Sequence, residues 1–517
     1  MSAVCHAEGR SETGVDVEKV GASPLCGGAG VRSVGDGATT RRRTLQSAIA
    51  AAGVAASGSA VLAACARTTA LPRTAAASPV SLVWLPWTNF PGGTSNTALA
   101  LLKDAVAPFL TANKGVQITP TLLGGALAEN GGGVGSIVAA MIAGQGPDVF
   151  EHWFLAPFVE KGFLLDLGPY IKRDNLDLAV WPRAAMQWID AVDATGPNPH
   201  GTFALPSYIN TLALAINQGV PDQLGVAYPT PDWTYPQWAR FWESATSPGK
   251  GSLHARTGFR WIWYAAFLSG PPSCFLHAFG GGYVDPTDPR RAGLAVPGTE
   301  AFFEFLIPLI ESGVVQPLID WNNAVSDFLA GRLASMTFES AAVLTAAVSL
   351  GGMKWDWYPV PVGPAGRFSL MSSDYVAVNA ATKHPDVAYA FAKWLAWDKT
   401  FATAMMKIAL RSPGRNDQWE EWVANVKAVA PRLASKNFGA FTDVVTGQDG
   451  HLWGSRVWKY APQQAGIIVQ SYIQRMMQRQ TGVVEALRNA QKQVDAFEAT
   501  QSSPQVGTST RRPGSGP

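Results

Sequence analysis

Nineteen tryptophans in a chain of 517 residues exceed what packing alone requires. An indole offers a flat apolar face with a single N–H donor and is rarely fully buried, so a surplus fits a surface on which a ligand stacks. Aromatic and polar residues meet in four places: Trp84, Trp87 and Asn89; Glu151, His152 and Trp153; Trp261, Trp263 and Tyr264; and Ser372, Ser373, Asp374 and Tyr375. Such sets combine stacking with hydrogen bonding and suit a ligand with apolar faces and polar edges. Structural roles compete. Trp84 alternates with Leu82 and reads as core, Asp148 reads as a turn cap, and Trp261-x-Trp263 reads as one strand face against a helix.

Other chemistries lack their residues. The seven histidines form no pair at metal-ligand spacing and no His-Glu-x-x-His, so neither metal nor cofactor is expected. There is no Gly-x-Ser-x-Gly elbow, and Gly131-Gly132-Gly133 lacks the Lys-Ser/Thr of a phosphate loop. Paired carboxylates of a glycosidase need only meet in space, which keeps a secreted Trp-rich hydrolase as the alternative. A surface adhesion module would need a repeat, and none is present.

The elements that must position these groups alternate in type. Val80 to Leu85 is a β-favouring run closed by Pro86; Leu99, Leu102, Val106 and Phe109 recur at helical spacing; Val116 to Leu122 alternates as a half-buried strand. A helix over Ile137–Ile142 and a strand at Asp148–Phe150 complete a β-α-β-α-β order, which predicts an α/β layer with a largely parallel sheet. Strands follow at Gly201–Pro206 and Leu212–Asn217. Helices follow at Tyr235–Ala245, Thr299–Glu311, Asp386–Trp397 behind Pro385, and Gly482 to about Phe497.

Ahead of this body, Arg41, Arg42 and Arg43 precede an uncharged Ala/Val/Leu/Ser/Gly run ending at Leu62-Ala63-Ala64-Cys65. A basic segment, an apolar segment and small residues at a processing point describe an export signal. The run is too rich in Ala and Gly to read as a spanning helix. Thr40 to Leu45 resembles a twin-arginine signal, and Leu62–Cys65 resembles a lipobox in which Cys65 is acylated. The expected organisation is an export signal over 1–64, a flexible tether over 65–79 and a disordered tail over 500–517. The body is too long for one core and predicts two or three domains. Formal net charge is +2 with no basic stripe, which argues against nucleic acid. Of four cysteines only Cys274 lies in the body, so its cysteines can form no internal disulfide.

Seven short motifs, in order, resemble the family-1 extracellular solute-binding proteins, sugar receptors of ABC importers. They are Ala143 to Val149, Lys161 to Ile171, Thr202 to Pro206 with Leu214 to Asn217, Phe328 to Met336, Pro359 to Pro364, and Ala388 to Leu395. Ala215 and Ile216 stand where the family's pattern has aromatics. The resemblance implies an α/β, two-lobed periplasmic-binding-protein-like fold with a hinge and an interlobe cleft. One lobe would comprise 80–208 and 362–412, the other 209–361 and 413–499. It further implies a carbohydrate bound in the cleft (or a polyol or sugar phosphate), no catalysis, ABC permease subunits as partners, and a lipid-anchored place outside the membrane. The expected ligand contacts are Trp87, Asn89, Glu151, His152, Trp153, Tyr208, Trp261, Trp263, Tyr264, Glu339, Ser373 and Asp374, with Trp355 and Trp357 as further cleft candidates.

Overall fold

The computed structural model describes residues 79–86, 96–121, 132–193, 198, 201–247, 256–262, 271–285, 287–288, 290–318, 321–350, 352–447, 451–454 and 462–501. The expected signal, Cys65, the tether, Trp87, Asn89, Trp263, Tyr264 and the tail beyond 501 lie outside the described residues, as does the side chain of Trp261.

Twelve strands are described: β1 Val80–Leu85, β2 Val116–Pro120, β3 Val149–His152, β4 Ala204–Pro206, β5 Asn210–Asn217, β6 Thr257–Ile262, β7 Val315–Leu318, β8 Leu333–Glu339, β9 Trp355–Tyr358, β10 Phe368–Ser372, β11 Tyr375–Val378 and β12 His451–Gly454. They form two sheets. The smaller runs β2-β1-β3-β11-β4; the larger runs β12-β10-β5-β8-β6-β7, with β9 also paired to β5. As the alternating elements predicted, β1 pairs in parallel with both β2 and β3. β11 returns antiparallel between β3 and β4. This is the two-lobed α/β architecture.

Burial follows period. The helix Asn96–Ala112 turns Leu102, Val106 and Phe109 into the smaller sheet's core. There Trp84 is fully buried, edge-on to Phe391 at 5.4 Å and to Phe401 at 6.0 Å, the core role its alternation with Leu82 suggested. In the larger sheet β5 is buried on both faces. Leu212, Leu214 and Ile216 enter one core, and Ala213 and Ala215 the other. Opposite Ala215 sits Trp357 of β9. The small β5 side chain leaves room for that indole, which packs against Phe338, Trp355, Phe438 and Phe441 at centroid distances of 5.8, 5.0, 5.1 and 5.0 Å. Trp355 and Trp357 are therefore core residues, correcting the expectation that they face a cleft. Helix Tyr235–Ala245 lies so close to β6 that a Cβ on Gly258 would meet the Trp242 carbonyl at 2.2 Å, which lets Trp242 stack on Phe259 at 4.4 Å.

Helices between the expected ones carried weaker signals. Lys399–Ala409, Trp419–Val429 and Gly439–Thr446 are examples. The first packs on helix Asn96–Ala112, the second on the first, and the third on β5. This chain of contacts runs from the helical layer of the smaller sheet to a central strand of the larger. Among the described residues no helix is long and apolar enough to cross a membrane.

Candidate functional site

The chain passes between the neighbourhoods of the two sheets at three adjacent places. β4 runs into β5 through Ser207, Tyr208 and Ile209, and β10 runs into β11 through Ser373 and Asp374. The third connection leaves helix Lys399–Ala409 through Leu410 to Pro413. It is fastened to the first by Ile209 N–H donating to Pro413 O at 3.0 Å and by Ser412 Oγ donating to Ile209 O at 2.7 Å. Leu410 caps its helix in the left-handed region at φ 53°, and its carbonyl accepts from the Trp422 indole at 2.9 Å. An apolar side chain holds that conformation only where its surroundings enforce it.

Polar side chains fill the space between these connections. Arg411 Nη2 donates to Glu151 Oε2 at 2.9 Å and to Ser207 Oγ at 2.6 Å, and its guanidinium lies 4.5 Å over the Tyr208 ring. Asp374 offers its carbonyl to the N–H and hydroxyl of Ser207 at 3.0 and 2.9 Å, and to Ser373 Oγ at 2.7 Å. Beside this group, Asn210 Nδ2 donates to Glu339 and to Ser372 Oγ, while Asn210 Oδ1 accepts from Ser340 Oγ and from Ala341 N–H. Buried polar atoms need partners, and this mesh supplies them from every connection at once.

The expected residues are brought together unevenly. Glu151, His152, Tyr208, Ser373, Asp374 and Glu339 converge on the crossings, although they span more than two hundred positions of sequence. Glu151, Tyr208, Ser373 and Asp374 are buried there, and Glu339 is half-buried. Trp153 is half-buried and stacked beside His152 at 5.8 Å. Trp261 places its backbone in β6, paired with Pro317 on β7 and away from the crossings. Asp148 does not cap the following turn: its carboxylate accepts from Val83 N–H at 2.8 Å and from Thr382 Oγ1 at 2.6 Å, tying β1 to the segment after β11. Arg411, Ser207, Asn210, Ser340 and Ser412 were not anticipated. The signal available was a lone arginine between an apolar helix and Pro413.

The site's electrostatics follow from burial. Desolvation, reinforced by the neighbouring Glu151 charge, raises the Asp374 carboxyl to about 7; Arg411 and the Tyr208 hydroxyl oppose the rise. Desolvation lowers His152 to about 4, so the imidazole is neutral near pH 7, and its ring nitrogen accepts from Phe154 N–H at 2.9 Å. Glu339 is also raised by burial, against the pull of the Asn210 amide. Among the described residues no three His, Cys, Asp or Glu side chains group as metal ligands. A separate apolar void, lined by residues such as Leu214, Tyr235, Trp242 and Phe302, lies inside the larger sheet's core, away from the crossings.

Two α/β sheets, joined by three connections between which a hinge can work, define a two-lobed solute-binding protein. Residues 92–399 match the model of the bacterial extracellular solute-binding proteins, and the chain belongs to that family. Solved structures agree on the fold. An ABC substrate-binding protein from Listeria monocytogenes in complex with cycloalternan is 16% identical at a TM-score of 0.61, over 82% of this chain and 100% of that one. The sugar-binding protein MalE from Xanthomonas citri is 15% identical at 0.61, over 81% and 98%. The cyclic alpha-maltosyl-1,6-maltose binding protein from Arthrobacter globiformis is 16% identical at 0.60, over 82% and 100%. No curated protein matches the sequence.

Proposed function

We propose that this chain captures a sugar or oligosaccharide between its two lobes and delivers it to the permease of an ABC importer, without altering it. The observation that carries the reading is the junction of three connections between the sheets, on which aromatic and hydrogen-bonding residues from distant segments converge. One lobe is built on the smaller sheet and the other on the larger. The division expected after Pro361 then moves to Ser372, because β10 pairs with β5 and β12. Half-buried Trp153 and Glu339 at the junction, together with Trp87, Asn89, Trp263 and Tyr264, supply stacking faces and hydrogen-bonding edges. Glu151, His152, Tyr208, Ser373 and Asp374 set the shape of the junction behind them. The three structural neighbours, one in complex with cycloalternan, one a sugar-binding protein and one a cyclic maltosyl-maltose binding protein, support the ligand class. The motif at Leu62–Cys65 supports an extracytoplasmic protein held to the membrane by lipid on Cys65.

Calorimetry of the body against cycloalternan, cyclic maltosyl-maltose, maltose and maltotriose tests the reading. At a hundredfold excess over the dissociation constant, a true ligand raises stability by about 2.7 kcal/mol. The sugar should be recovered intact; turnover by homogeneous protein, or no binding across a wide carbohydrate panel, would refute it. Cys65→Ala should release the protein from membranes.

A further inference from the structure

The buried charges at the junction do not balance. Glu151, Asp374 and Arg411 are 2%, 5% and 3% exposed, which sets two carboxyls against one guanidinium. Each connection contributes a member: Tyr208 with Ser207 from the first, Asp374 from the second, Arg411 from the third, and Glu151 from the end of β3 beside them. Arg411 is already committed to Glu151 and Ser207. The Asp374 carboxyl is hydrogen-bonded by the Tyr208 hydroxyl and lies within the fields of both Arg411 and Glu151. His152, across the ladder from Tyr375, stays neutral near pH 7 and offers no second positive charge. Ionising Asp374 therefore places a second negative charge in a buried space where, among the described residues, Arg411 already pairs with Glu151, and such a charge favours any arrangement that lets water in.

We propose that the junction is a proton-operated hinge: protonated Asp374 holds the three connections packed and the lobes closed on solute, and its ionisation favours the open, wetter arrangement. This rests on the two-lobed solute-binding reading. Closure removes water from the space between the sheets, so it disfavours the charged carboxylate more than the open state does. Proton and solute then bind cooperatively. Burial sets the upper end of the exchange near pH 7, a pH that a protein outside the cytoplasm meets.

Calorimetry with the tightest-binding of cycloalternan, cyclic maltosyl-maltose, maltose and maltotriose, from pH 5.5 to 8.5, reads the linkage. In the wild-type chain the dissociation constant should rise from pH 5.5 to about pH 7, at most about tenfold per pH unit with up to one proton taken up on binding, and level off above pH 7. Asp374→Asn keeps the shape and removes the proton, so it should abolish both effects. Tyr208→Phe removes the hydroxyl that opposes protonation and should move the levelling-off to higher pH, which serves if the Asn variant does not fold. A flat wild-type profile, or a pH dependence retained in both variants, overturns the proposal. If no carbohydrate binds, the solute reading falls separately. The hinge is then read by X-ray scattering of the free protein, whose radius of gyration should grow from pH 5.5 to about 7 in wild type and stay constant in Asp374→Asn.

Discussion

Two clusters tie the smaller sheet's elements to the larger's, and they do it with opposite chemistry. At the junction, Arg411, Glu151, Ser207, Asp374 and Asn210 make directional, partly charged contacts. Behind it, helix Trp419–Val429 sits on helix Lys399–Ala409, and Trp422 meets Phe438 at 5.6 Å and Phe441 at 6.3 Å, which in turn pack on Trp357 of β9. Aromatic contacts lose energy gradually as rings slide, and they ignore pH. A buried hydrogen-bonded charge pair is either made or broken, and its balance depends on protons. The aromatic cluster sets how firmly the halves are joined; the polar cluster sets in which discrete arrangements, and under which conditions.

That contrast breaks most visibly at Trp357. Trp357→Ala should cost about 3–5 kcal/mol, towards the upper end, because Ala215 opposite it leaves nothing able to fill the void. Urea unfolding should find the same loss at pH 5.5 and pH 8. Next comes Arg411→Met, which strands the Glu151 carboxylate and should cost about 3–4 kcal/mol at pH 8. At pH 5.5 the loss should shrink, because Asp374 is then protonated and one fewer negative charge is left uncompensated. An equal loss at both pH values would place the arginine with the aromatic cluster in kind.

The smallest effect sharpens the comparison within the polar cluster itself. His152, lowered to about 4, contributes stability present above pH 6.5 and lost as pH falls towards 4. Asp374, raised to about 7, contributes stability present below its ordinary value and lost as pH rises through 7. Between about pH 4 and 6.5 the two oppose each other. Asp374→Asn removes one side, so its stability relative to wild type should fall with acidification across that window by about 2–3 kcal/mol. Unfolding curves at half-unit pH steps check the slope.

Sequence pattern revealed these regions unequally. The smaller sheet's first strands and helix were legible because Leu102, Val106 and Phe109 recur at 3.6 residues and Val116 to Pro120 alternates, both local signals. Glu151, Ser373 and Asp374 stood out as polar residues at strand ends. Their roles did not, since Arg411, which fixes the geometry, lies 260 positions from Glu151. Trp355 and Trp357 misled for a related reason. An aromatic pair on a short alternating run reads the same whether the strand faces solvent, a ligand or a second aromatic layer. Only the partner strand, with Ala213 and Ala215, distinguishes the cases. Helix Trp419–Val429 was missed because its apolar residues serve two neighbours and do not form a single stripe.

The pairing of Ala215 with Trp357 carries a consequence for how this receptor tolerates change. The volume between β5 and β9 is shared by two side chains on separate strands, one minimal and one maximal. Enlarging position 215 alone overfills that space, and shrinking position 357 alone empties it. The two positions are thus a single unit of inheritance. A route to an aromatic on β5 passes through a smaller residue on β9, and an engineer reshaping this layer must alter both strands in one step.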